Sequence, residues 1–131
     1  MTYMDVLSMN SYDMIDYLTE TFLVQIPKSI NSIEDMNHAS ELLLKLSTNY
    51  SYMNSLLSYI KLTTRDAKRQ LDKLDAKDPK KVEYKTYYED MVDKKEIINN
   101  ITECVDQEYS AISRAVTIKI ENNKELSMSM R

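Results

Sequence analysis

The sequence predicts an all-α fold: a short N-terminal helix followed by a long, antiparallel, coiled-coil-like helical hairpin. Three observations predict it. No glycine occurs among 131 residues, where ordinary usage of roughly 7% would supply about nine. One apolar series repeats in alternating steps of three and four from Met36 to Leu74. Asp78-Pro79 then offers a turn and a helix start. The missing glycine also excludes whole classes of site. No Gly-rich loop can cradle a phosphate, so the dinucleotide fingerprint and the Walker A loop are both absent. No Asn-Gly or Asp-Gly hairpin turn exists, which disfavours many-stranded β folds.

Residues 1–131 read as one helical domain. In residues 1–31, Asn10 or Ser11 can cap a helix carrying Met14, Ile15, Leu18 and Phe22 at helical spacing, and Pro27 stops it. Ser32 is the next N-cap, with Glu34 and Asp35 in the first turn, where carboxylates suit the helix dipole. The long helix over 32–76 carries the seam Met36, Ala39, Leu43, Leu46, Tyr50, Met53, Leu57, Ile60, Thr64, Ala67, Leu71 and Leu74. Only Thr64 is polar in character. A sustained 3.5-residue repeat implies left-handed supercoiling against a partner helix. The helix spans about 43 residues, roughly 64 Å at 1.5 Å per residue.

The chain turns at 75–78, and a third helix covers 79–121, because Asp caps well and Pro is tolerated at the first helical position. Its apolar positions are Val82, Tyr87, Met91, Ile98, Ile101, Val105, Ile112 and Val116. The middle drifts to a 3-4-4 rhythm through Tyr109 and Ile120, and residues 122–131 read as a frayed tail. Residues i and j face each other where i + j is about 155, as an antiparallel hairpin requires. The expected hairpin and oligomer interface is Leu43, Leu46, Met53, Leu57, Ile60, Ile98, Ile101, Val105 and Ile112. A second stripe (Leu42, Tyr52, Leu56, Tyr59 and Leu62) needs its own cover, either a second subunit or the N-terminal helix.

The net charge of −4 is unevenly placed. Residues 61–85 hold nine basic and five acidic groups, a net +4, and the rest of the chain is −8. Lys61, Arg65, Lys68, Arg69, Lys73, Lys80, Lys81 and Lys85 therefore form a basic hairpin tip, with Tyr59, Tyr84, Tyr87 and Tyr88 nearby. Cations track phosphates and rings stack on unpaired bases, so these groups suit single-stranded nucleic acid, with Tyr59, Tyr84 and Tyr88 as stacking candidates. The alternative is a solvated charged face with i, i+4 pairs such as Asp72 beside Lys68. Arg114 and Lys119 form a smaller cationic pair, for which a salt bridge to Glu41 or Glu34 is the plain reading.

No catalytic, metal or cofactor site is expected. His38 is the sole histidine, and Cys104 is the sole cysteine, read as a half-buried filler. Carboxylates lack the Glu-x-x-His spacing of a di-iron site. No apolar run nears the roughly 18 residues a membrane span needs, and the first residues lack the basic start and apolar core of a signal peptide. A cytoplasmic, non-enzymatic binding protein is the expectation.

Three stretches carry a resemblance. Ala67-Lys68-Arg69-Gln70-Leu71-Asp72 is similar to an L-K-A-R-L-D segment, with Lys68, Leu71 and Asp72 matching and Gln70 standing where that motif has arginine. Ser113-Arg114 with Ile118-Lys119 is similar to S-R-x-x-x-I-K, with Cys104 upstream at matching spacing. Lys45 and Ser51 keep similar spacing further upstream. In layout and in these motifs the chain resembles the UvsY-like recombination mediators of T-even-type bacteriophages, although that family's glycines and tryptophans are missing. The resemblance implies a ring-forming homo-oligomer in an infected bacterial cell. It would bind single-stranded DNA, contact the single-strand-binding protein that coats it, and help load a RecA-like recombinase. A different class of function also fits the sequence: a helical adaptor or inhibitor that binds only protein, for example a phage anti-defence protein.

Overall fold

The structure, a computed structural model, describes residues 1–129. Four helices follow in order: α1 (Tyr3–Ser8), α2 (Ser11–Phe22), α3 (Ile33–Asp72) and α4 (Lys81–Ser129), with no strand among the described residues. Local chemistry starts each of the first three. Thr2 and Asp5 form a reciprocal capping box on α1. Asn10 Oδ1 accepts from the Asp13 amide at 2.8 Å, and Ser32 Oγ accepts from the Asp35 amide at 3.0 Å. The expected N-terminal helix is therefore two helices, broken by extended backbone at Met9 and Asn10.

The hairpin forms as its register requires. Lys68 lies over the Tyr88 ring, and Lys81 Nζ donates to the Leu74 carbonyl at 3.3 Å. Leu46, Met53, Leu57, Ile60, Ile98, Ile101, Val105 and Ile112 are buried, and Leu43 is half-buried against them. Thr64, the polar member of the seam, is buried with its hydroxyl donating to the Ile60 carbonyl at 2.7 Å. The turn is wider than expected: α3 ends at Asp72, and α4 starts at Lys81 rather than Pro79. Asp78 still organises that start, since its carboxylate accepts from the Lys80 amide at 2.8 Å.

The second stripe finds its cover within the chain. Val6, Leu7, Met14, Leu18 and Phe22 of α1 and α2 are buried in the same core as Leu56, with Leu42, Tyr52 and Tyr59 packed against it. Phe22 stacks on Tyr52 with ring centroids 4.7 Å apart, and Tyr3 touches both Tyr52 and Tyr59. Leu62 stays outside, 57% exposed.

Polar groups lock this layer in place. Asn49 Nδ2 donates to the Phe22 carbonyl at 3.0 Å. Lys94 is 4% exposed and its ammonium donates to the Leu7 carbonyl at 2.7 Å, beside Asp90 at 2.9 Å. Glu108 accepts from the Val24 amide with both oxygens, at 3.0 and 3.2 Å. α2 ends at Phe22, short of Pro27, and the groups just past its end are met by Asn49 at the Phe22 carbonyl and Glu108 at the Val24 amide.

Several expected positions move. Tyr50 is exposed, and Asn49 is buried beside it. Val82 and Tyr87 are exposed at 76% and 49%, because the seam enters α4 along Tyr84, Tyr88 and Met91. Tyr109 and Ile120 are also exposed. The heptad rhythm holds through Lys94 and Glu108, polar residues that an apolar pattern skips. Cys104 is exposed, not a filler. The expected tail is helical as far as Ser129; no glycine or proline interrupts it. Met130 and Arg131 lie outside the described residues. No helix of the described chain is long and apolar enough to cross a membrane.

Candidate functional site

Helical spacing puts Lys61, Thr64, Arg65 and Lys68 on one face of α3, near the end of the hairpin. The antiparallel return brings Tyr88 and Lys95 of α4 against them. Together these six residues line an open cleft of about 360 Å³. Thr64 forms part of its floor, and Tyr88 and Lys95 are half-buried in its wall. Lys61, Arg65 and Lys68 are exposed. Lys68 Nζ lies 5.5 Å from the Tyr88 ring centroid, within cation–π range. Such a contact at an exposed site stabilises by about 0.5–1 kcal/mol, enough to orient the ammonium but too little to hold it there.

The electrostatics of the cleft are one-sided. Among the described residues no carboxylate lies within salt-bridge distance of Lys61, Arg65, Lys68 or Lys95; the ion pair that forms is Lys94–Asp90. The expected Lys68–Asp72 pair and the bridges from Arg114 or Lys119 to Glu41 or Glu34 do not form. Four uncompensated cations in a groove raise the local concentration of an anionic ligand. The groove runs on toward the hairpin middle through Leu57, Lys61, Lys95, Glu96 and Asn99, a further 320 Å³. Glu96 is the first acid met along it.

The other expected tip residues part company. Arg69 and Lys85 are exposed and do not line the cleft. Lys73 is the C-cap of α3, and Lys80 sits in the turn. Lys81 is occupied with the Leu74 carbonyl. Tyr59 is a packing residue of the N-terminal layer: its ring lies against Tyr3 and its hydroxyl donates to the Met4 sulfur. Tyr84 lines a separate cleft of about 230 Å³ with Ala67, Gln70, Glu83 and Tyr87. Tyr87 also borders the cleft where Met4 and Leu7 of α1 meet the hairpin, so Tyr84 lies toward the N-terminal helices and Tyr88 turns away from them.

Lys95 is the groove residue that charge clustering along the sequence does not single out. The signal was available, since the antiparallel register sets residue 95 about opposite Lys61. Lys94 and Lys95 look alike in sequence, and only the fold separates the buried one from the one in the groove.

Of the residues that carry the family resemblance, Lys68 is in the groove and Gln70 is in the second cleft. Lys119 borders a shallow cleft with Ile30, Asn31 and Ile118. Compared with known proteins, the chain matches no family model, no curated protein and no solved structure.

Proposed function

We propose that this chain is a non-catalytic binding protein that holds single-stranded DNA in the cationic groove, in the recombination-mediator role that the UvsY resemblance implies. One observation carries the reading: Lys61, Arg65, Lys68 and Lys95, from two helices, converge without carboxylate partners around one aromatic ring. Phosphates would pair with the cations and release counterions, while the ring meets a base without reading its identity.

One groove this size holds a short segment, so a homo-oligomer, a ring in this reading, would supply affinity by presenting several grooves to one strand. Exposed apolar side chains such as Leu44, Ile118, Leu126 and Met128 support assembly. The acidic body would stay available to the single-strand-binding protein and to a RecA-like recombinase. A helical adaptor that binds only protein would dock through the same acidic body; α1 and α2 cover most of the apolar stripe it would also offer a foreign helix, leaving Leu62 exposed.

Native mass, measured with and without a single-stranded oligonucleotide at low salt, tests the proposal. A multi-subunit particle that gains the mass of the strand is expected. A monomer that ignores the strand overturns it.

A further inference from the structure

The groove contains a single aromatic ring, and its setting says more than its presence. Tyr88 is half-buried, so its position is fixed by the hairpin. Lys68 Nζ, 5.5 Å from the centroid, marks the ring face that is open to the groove. A lysine arm is mobile, and among the described residues its ammonium is the only cation placed over that ring. The remaining rings near the tip lie outside this groove. Tyr59 belongs to the N-terminal layer, and Tyr84 and Tyr87 line the other cleft.

We propose that Tyr88 is the platform on which each groove stacks one unpaired base, and that this ring gives the groove its preference for single strands. The inference rests on the DNA reading above. Stacking on an unpaired base is stronger than an exposed cation–π contact, so a base displaces the Lys68 ammonium from the ring. The displaced ammonium, with Lys61, Arg65 and Lys95, then meets the phosphates on either side. A paired base inside a duplex has no free face to offer. Glu96, next along the groove beyond Lys95, repels a further phosphate and keeps the segment short.

Binding of a short oligothymidylate and of an abasic strand of equal length, both at low salt, tests this. The wild-type chain is expected to prefer the base-bearing strand by roughly tenfold. Tyr88→Phe should keep that preference. Tyr88→Leu should bind the two strands alike, with abasic affinity unchanged and helical circular dichroism intact. A Tyr88→Leu chain that keeps the preference, or that weakens on both strands equally, overturns the stacking role. So does a wild type that binds both strands equally, which leaves the cationic groove standing. A wild type that binds neither strand overturns the groove reading and stacking together.

Discussion

Lys68 and Lys94 carry the same side chain into opposite settings. Lys94 is buried with its ammonium on the Leu7 carbonyl and Asp90, so it fastens α1 to α4. Lys94→Met leaves that carbonyl unpaired in a buried place and should destabilise the fold by about 1–3 kcal/mol, read as a lower denaturation midpoint. Lys68 is exposed and makes only the contact with the Tyr88 ring, so Lys68→Gln should cost at most about 0.5–1 kcal/mol, well below Lys94→Met. Glu108 shows a third setting. Burial raises its pKa, and the Val24 amide only partly offsets this. The folded state therefore holds the Glu108 proton to higher pH than the unfolded chain does. Stability from this group falls as pH rises from the ordinary glutamate range through the raised value. Glu108→Gln can still accept from Val24 without ionising. Melting curves across that window should be flatter for Glu108→Gln, and its midpoint at neutral pH should be no lower than wild type. Asp5 and Asp35 act in the opposite sense, because amide hydrogen bonds at the helix starts hold their pKa values down. Their contribution is lost as pH falls through those lowered values.

At the scale of elements, α3 buries two stripes side by side. One is the seam with α4, and the other carries Asn49, Tyr52, Leu56 and Tyr59 to the N-terminal helices. The first was legible because apolar residues at 3-4 spacing have few other uses. The second was visible as a stripe, but its partner was not, since periodicity does not say which surface covers it. Helix ends were legible where side chains cap locally, as at Asn10 and Ser32. The end of α2 was not, because Asn49 and Glu108 reach it from distant parts of the chain. The groove was half legible: the α3 cations share a face by spacing alone, while Tyr88 and Lys95 depend on the register of the return helix. In α4, residues 121–126 are exposed, so that stretch lends the chain's own core little. At a concentration where it is monomeric, a chain ending at Ile120 should keep its unfolding free energy to within about 0.5 kcal/mol of wild type. A larger loss would mean that this last stretch supports the hairpin.

At the scale of the molecule, the chain separates its charges. The acidic excess lies on the body, and the groove near the hairpin end is locally cationic despite a net charge of −4. Whole-chain charge is therefore a poor guide to what the groove attracts. The central claim is that Lys61, Arg65, Lys68 and Lys95 bind phosphates. The most direct test is the salt dependence of single-strand binding for wild type and for the Lys61→Gln/Lys95→Gln double variant. Each phosphate contact on a single strand contributes a slope of about −0.7 to log K against log salt. Four cations per groove predict a wild-type slope of about −3, and the double variant should be shallower by about 1.4 with an unchanged melting temperature. Equal slopes for the two proteins, or a wild-type affinity indifferent to salt, would contradict the claim.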